Sequence, residues 1–119
     1  MKKYFIVIVD DDPDDCEILA TALKEGFDNM QLLTFTNPEL FLEYIKLTSD
    51  IPNIIVLDMY MPKLNGLEVI EKMKDNPVAN NIPIVILSSI TTISTLESVE
   101  NPNVIKSFVK PVSLMEYSV

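Results

Sequence analysis

The chain has 119 residues, 48% of them hydrophobic, which is enough to fill one core, so we expect a single domain over residues 1–119. Its formal net charge of −9 repels nucleic-acid phosphates and anionic membrane surfaces, which argues against direct binding to either. Histidine is absent, which excludes imidazole acid–base catalysis, imidazole metal ligation and phosphohistidine formation on this chain.

The first predicted element is a strand, because residues 3–9 (KYFIVIV) form an apolar, β-branched run. Five carboxylates follow it in the stretch DDDPDD at 10–15. Asp is favoured at a helix N-cap and Pro at the first helical position, so Asp12 and Pro13 predict the start of a helix. Its apolar stripe is predicted to consist of Ile18, Leu19, Ala22 and Leu23.

Asp10 and Asp11 are not explained by capping, because they precede the cap at the end of the strand. Together with Asp58, which ends a later strand, they would be electrostatically costly without a cation. Mg²⁺ is the predicted ion, since it prefers carboxylate oxygens. A Ca²⁺ loop does not fit, because Asp15 stands where Gly is needed and Thr21 where Glu is needed.

Four further strands are predicted along the chain, and helical patterns lie between them. The strands cover residues 31–36, 53–59, 82–88 and 103–109. The helical stripes comprise Leu40, Phe41, Tyr44 and Ile45, then Leu67, Ile70 and Met73. Alternating strands and helices predict an α/β doubly wound parallel sheet with helices on both faces.

Polar residues follow the carboxyl ends of these strands, where ligands of such sheets bind. Ser88 and Ser89 come after the fourth strand, and Lys110 comes after the fifth. We therefore expect acids, a hydroxyl and an amine to converge on one edge of the sheet.

These motifs together resemble the receiver domain of two-component response regulators over residues 3–112. The matching stretches are IVDDDP around Asp10, VLDMYMPKLNG around Asp58, VILSS around Ser88 and FVKP around Lys110. The resemblance implies a flavodoxin-like, CheY-like sheet of five strands in the order 2-1-3-4-5.

For the metal site, the resemblance implies that Asp58 accepts a phosphoryl group and that Asp10 and Asp11 bind Mg²⁺ with it. The backbone carbonyl of Tyr60 would complete the protein ligands. Because a carboxylate is already ionised at neutral pH, this chemistry needs no general base, which agrees with the missing histidine.

For the phosphoryl group, the resemblance implies contacts from the Ser88 hydroxyl and the Lys110 amine, with a cis Lys110–Pro111 bond. The donor would be a phosphohistidine on a sensor histidine kinase or a histidine phosphotransfer protein. Phosphorylation would shift the face of the fourth helix, fifth strand and last helix, which would control a downstream protein target.

Two features depart from the family pattern. The family commonly has an aromatic switch residue three positions before the lysine, and here that position is Ser107. Phe108 is one residue later and should face the opposite side, unless a local bulge re-aims it. The stretch VSLMEYSV at 112–119 allows a short or truncated last helix, and apolar surface left near the first helix would favour association such as a homodimer.

Two alternative functions remain open. One is a haloacid-dehalogenase-like phosphatase with an aspartyl nucleophile, although such enzymes carry a second Asp where this chain has Tyr60. The other is a receiver-like interaction module that has lost its phosphorylation output. We expect a signalling protein that assists its own phosphorylation and dephosphorylation rather than a turnover enzyme.

With Cys16 as the single cysteine and no leader or spanning segment, we expect the protein in the cytoplasm.

Overall fold

The computed structural model describes residues 3–26, 28–88 and 104–109, with the backbone alone described for Ser88 and 104–109. The elements in chain order are β1 (Tyr4–Val9), α1 (Pro13–Gly26), β2 (Met30–Phe35), α2 (Pro38–Leu47), β3 (Ile54–Asp58), α3 (Gly66–Met73), a 3-10 helix (Ala79–Asn81), β4 (Ile84–Ser88) and β5 (Val104–Val109). Within these ranges, every helix is too short or too polar to cross a membrane.

The five strands form one sheet in the order β2-β1-β3-β4-β5, and all four neighbouring pairs are parallel. The predicted strand order is therefore confirmed, and the five predicted strands lie within two residues of the observed ones. Parallel neighbours require crossover connections, and α1, α2 and α3 supply those that join β1, β2, β3 and β4 along the chain.

One face of the sheet is covered by α2 and α3. Phe41 and Ile45 of α2 and Val69 of α3 pack against alternate residues of β1, among them Val7 and Val9. This cluster is the main apolar core, and edge-on contact between Phe41 and Phe35, with ring centroids 5.7 Å apart, extends it to β2.

The opposite face of β1 is also covered. Ile6 and Ile8, which alternate with the core residues, are both buried. Cys16 is the buried residue of α1 and lies outside the core cluster of α2 and α3. The sheet thus has buried residues on both sides, as the continuous apolar run of β1 predicts.

The predicted burial of the helical stripes is wrong at two positions, Leu40 and Ala22. Leu40 is 61% exposed, because the buried face of α2 runs through Pro38, Phe41 and Ile45 and leaves Leu40 on its flank. Ala22 of α1 is also exposed, and the buried residue of that helix is Cys16. Apolar spacing alone therefore assigned one exposed residue to the buried face of each of these helices, α1 and α2.

The pairing of β4 with β5 contains one irregularity, between Ile84 and Val85. Beyond it the register is unbroken, so Ser107 is the partner of Ile86 and Phe108 is the partner of Leu87. The irregularity therefore lies before both predicted switch positions. The predicted side-chain directions at 107 and 108, the last helix and the cis bond before Pro111 lie outside the described residues.

Candidate functional site

The sheet brings the two acidic strand ends together. Val9 of β1 is the register partner of Leu57 of β3, so Asp10 and Asp58, each one residue further, lie side by side at the carboxyl edge. Both carboxylates are buried, with 1% of Asp10 and 4% of Asp58 exposed.

Asp11 completes a cluster with these two residues. Asp10, Asp11 and Asp58 each offer a carboxylate oxygen, and the three oxygens lie within 4.8 Å of one another. Three carboxylates held this close, two of them buried, repel each other and favour a cation. Because all three donors are hard oxygen ligands, the cluster fits Mg²⁺ or a similar hard divalent ion.

Asp10 is fixed by three hydrogen bonds, to β2, to α1 and to the residue that caps α1. Its backbone N–H donates to Phe35 of β2 at 3.0 Å, and its carbonyl accepts a bond from the Cys16 thiol at 3.3 Å. The backbone N–H of Asp12 donates to its Oδ1 at 3.0 Å. The carboxylate is therefore held in one orientation toward the cluster.

The remaining acids of the DDDPDD stretch belong to the helix. The N–H of Asp14 donates to Oδ1 of Asp12 at 2.9 Å, and α1 begins at Pro13. Asp12 is therefore the N-cap of α1, as predicted. Asp14 and Asp15 lie in the first turn, where the helix dipole stabilises negative charge. This part of the prediction is confirmed.

The Asp58 carboxylate is held by the loop that follows it. The Tyr60 N–H donates to Oδ1 of Asp58 at 3.3 Å, and the Met59 N–H donates to the carbonyl of Leu87 in β4 at 2.8 Å. Gly66 at the start of α3 donates its N–H to the Met59 carbonyl, also at 2.8 Å. Met59 of this loop is thus hydrogen-bonded both to β4 and to the start of α3.

The other predicted site residues are described in part or not at all. The backbone of Ser88 ends β4 and pairs with Val109 of β5, which puts residue 88 at the same edge of the sheet as Asp58. The Ser88 side chain, the Ser107 and Phe108 side chains and all of Lys110 lie outside the described residues. The Tyr60 carbonyl stays a prediction as a ligand.

Sequence reasoning missed two contacts of this site. Cys16 is 4% exposed, and its bond to the Asp10 carbonyl has no counterpart in the sequence pattern. The close approach of Gly66 to the backbone of Asp58 is the second such contact. Pro62 and Gly66 are residues typical of a turn, and a turn gives no indication of that approach.

A second concavity lies away from the acidic cluster. This cleft of about 750 Å³ lies between α2 and α3, with Leu42 and Met73 among its apolar residues and Glu43 and Lys72 among its charged ones. None of the clustered aspartates lines it, so this cleft is separate from the acidic edge.

Comparison with known proteins gives a consistent answer. The family model for the response regulator receiver domain matches residues 6–117. The chain is 33% identical over 89 residues to chemotaxis protein CheV1 of Helicobacter pylori (strain ATCC 700392 / 26695), a match that covers 72% of this chain and 27% of that protein. It is 27% identical over 89 residues to response regulator Rcp1 of Synechocystis sp. (strain ATCC 27184 / PCC 6803 / Kazusa), covering 71% of this chain and 60% of Rcp1.

Solved structures share the fold. The phosphorylated cyanobacterial phytochrome response regulator RcpA is 25% identical with a TM-score of 0.82, covering 97% of this chain and 86% of that one. The bacteriophytochrome response regulator AtBRR is 27% identical with a TM-score of 0.80, covering 99% and 89%. The Mn²⁺-bound form of Rcp1, at 24% identity, a TM-score of 0.81 and coverage of 95% and 85%, shows the fold alone.

Several relatives are much longer than the matched part. The chain matches 11% of the phosphodiesterase regA of Dictyostelium discoideum and 13% of RcaC of Microchaete diplosiphon. Those proteins carry the matched region as a small part of a larger whole.

Proposed function

Because this chain belongs to the response regulator receiver domain family of two-component signalling, we propose that Asp58 accepts a phosphoryl group from a partner's phosphohistidine in the presence of Mg²⁺. The donor would be a sensor histidine kinase or a histidine phosphotransfer protein, and the chain would act as one receiver domain over residues 1–119 in the cytoplasm. Phosphorylation would control a downstream protein through the face of the fourth helix, β5 and the last helix.

The observation that supports this most directly is the clustering of Asp58 with Asp10 and Asp11. Asp10, Asp11 and Asp58 would hold the ion, with the Tyr60 carbonyl as a further oxygen ligand. A bound Mg²⁺ would neutralise charge on the transferred phosphoryl group. The Mn²⁺-bound form of Rcp1, a protein of the same fold, makes a divalent ion a reasonable choice.

The residues of this chain have simple tasks in the proposed transfer. A carboxylate oxygen of Asp58 forms a bond to phosphorus while the phosphorus–nitrogen bond of phosphohistidine breaks, and the leaving imidazole takes a proton from solvent. The Tyr60 N–H, bonded to Oδ1, holds the carboxylate in one orientation. Water later hydrolyses the aspartyl phosphate.

We assign the remaining roles by the family pattern. The Lys110 amine would pair with the phosphoryl group, and the Ser88 hydroxyl would bond to it after transfer. Ser107 occupies the family's switch position in β5, and Phe108 follows it. Because residue 107 is not aromatic, output would depend on backbone and loop movement near Ser88 or on a re-aimed Phe108.

A turnover phosphatase is the less favoured alternative. Tyr60 occupies the position of the second catalytic Asp of such enzymes. Receiver domains are signalling modules in general, and the enzymes among the relatives, such as regA, are far longer than the matched region. We therefore propose no substrate turnover beyond loss of the chain's own phosphoryl group.

The test is incubation with Mg²⁺ and acetyl phosphate, followed by intact-mass spectrometry. We expect one added phosphoryl group, absent in Asp58→Asn and absent when the metal is removed by chelation. Asp75→Asn serves as a matched control, because Asp75 is exposed and lies outside the acidic cluster. An unchanged mass for folded wild-type protein contradicts the proposed function.

A further inference from the structure

Gly66 is in unusually close contact with the backbone of the proposed acceptor. A Cβ atom built on Gly66 would lie 3.0 Å from the carbonyl oxygen of Asp58 and 3.0 Å from the Cα of Met59. The Met59 sulfur would be 3.4 Å away. The two nearest atoms are backbone atoms, which cannot rotate out of the way as a side chain can.

The backbone conformation does not require glycine at this position. Neither Gly66 nor Gly26, the two glycines of the chain, has a positive φ angle. Glycine also loses more entropy on folding than any other residue. The reason for glycine at 66 is therefore the space it leaves and not the angles it permits.

The contact lies where the first residue of α3 is hydrogen-bonded to the loop that follows Asp58, which we call the acceptor loop. The Gly66 N–H donates to the Met59 carbonyl at 2.8 Å, and the Met59 N–H donates in turn to Leu87 of β4 at 2.8 Å. The Asp58–Met59 segment is thus held between a strand and a helix. A side chain at 66 would push this segment away from α3 by a few tenths of an ångström.

We infer that Gly66 is a positioning residue for the Asp58 carboxylate, because its missing side chain lets α3 begin directly against the Asp58–Met59 backbone. The inference rests on the proposed function. Displacing this backbone by a few tenths of an ångström would turn the Asp58 carboxylate relative to Asp10 and Asp11, whose oxygens now lie within 4.8 Å of it. The cluster would then bind a cation less well, and Asp58 would accept a phosphoryl group more slowly.

The chain offers a matched control for this idea. A Cβ built on Gly26, at the end of α1, meets no atom within 4 Å. Gly26→Ala and Gly66→Ala therefore make the same chemical change, one into open space and one against the Asp58 carbonyl. Val69→Ala, in the fully buried part of α3, controls for a loss of stability that leaves the acceptor loop in place.

The experiment measures Mg²⁺ dissociation constants by calorimetry and initial rates of phosphorylation by acetyl phosphate, with unfolding in urea recorded for each variant. We expect Gly66→Ala to weaken Mg²⁺ binding and to slow phosphorylation by about tenfold. Gly26→Ala and folded Val69→Ala should keep both wild-type values. If Gly66→Ala is unstable, all variants are compared in trimethylamine oxide, which favours the folded state.

Three results are informative in different ways. Folded Gly66→Ala with wild-type Mg²⁺ affinity and wild-type rate overturns the inference. A loss of affinity in Val69→Ala equal to that in Gly66→Ala also overturns it, because the effect would then follow stability alone. Wild-type protein that binds no Mg²⁺ and takes up no phosphoryl group contradicts the proposed function instead.

Discussion

The backbone N–H of Asp12 donates to the carboxylate of Asp10 at 3.0 Å, and this bond joins the two functions of the acidic stretch. Asp10 points into the buried cluster at the sheet edge, whereas Asp12 is exposed and caps α1. Neighbouring aspartates with the same chemistry are thus assigned to different tasks by their backbone positions.

Substitutions at these two positions should separate metal binding from stability. Asp12→Ala removes the cap of α1 and is expected to lower the free energy of unfolding by about 1 kcal/mol. It should leave the Mg²⁺ dissociation constant within about twofold of wild type, since Asp12 is outside the cluster. Asp10→Asn should do the opposite and weaken Mg²⁺ binding by about tenfold or more. Calorimetry and urea unfolding measure the two quantities, and equal Mg²⁺ affinities for wild type and Asp10→Asn would remove Asp10 from the site.

Mg²⁺ should stabilise the folded protein. An ion that binds only the folded chain raises the free energy of unfolding by about 2.7 kcal/mol at a concentration 100 times its dissociation constant. We expect the thermal midpoint to rise as Mg²⁺ is added and to return when the ion is chelated. Asp11→Asn should reduce this rise, while K⁺ at equal ionic strength should not reproduce it. A midpoint independent of Mg²⁺ would show that the three aspartates do not hold the ion.

Cys16 should contribute modestly to stability through its bond to Asp10. The Cys16 thiol is 4% exposed and donates to the Asp10 carbonyl at 3.3 Å. Cys16→Ala removes the bond and leaves a small cavity, so we expect a loss of about 1 kcal/mol in urea unfolding. Cys16→Ser keeps a donor and should recover part of that loss. The thiol should react with Ellman's reagent slowly in the folded protein and rapidly in urea, and fast reaction in both would contradict its burial.

Phe41 should be among the largest single contributors to the core. Its side chain is fully buried and contacts the Phe35 ring edge-on at 5.7 Å. Phe41→Ala is expected to lower the free energy of unfolding by about 3–5 kcal/mol. The adjacent Leu40→Ala should change it by less than about 0.5 kcal/mol, because Leu40 is 61% exposed. Urea unfolding of the two variants tests which face of α2 is inside, and similar losses would contradict this packing.

The strands and the acidic edge could be predicted because their signals are local. A continuous apolar run such as residues 5–9 is buried on both faces in a parallel sheet, and such runs mark the strands directly. The pairing of Asp10 with Asp58 followed from the rule that parallel strands end at one edge. The cap at Asp12 followed from the Asp–Pro order.

Other features could not be predicted because they depend on contacts between distant residues. The side chain of Asn53 accepts the backbone N–H of Phe5 at 2.8 Å, across 48 residues of sequence. The contact of Gly66 with Asp58 depends on the exact path of the loop between them, which turn signals do not specify. The exposure of Leu40 depends on how α2 is rotated about its axis, and periodicity fixes that rotation only to within about one residue.

The interior position of β1, between β2 and β3, has a consequence for how the chain is made. Both neighbours of β1, the strands β2 and β3, come later in the sequence, and its ladder to β3 needs residues 54–57. A nascent chain leaving the ribosome therefore carries the most apolar strand of the sheet well before that partner has been synthesised. Folding that waits for such distant pairings is slower than the folding of a helical protein of equal length, and the exposed apolar run is prone to aggregation until β3 has been made.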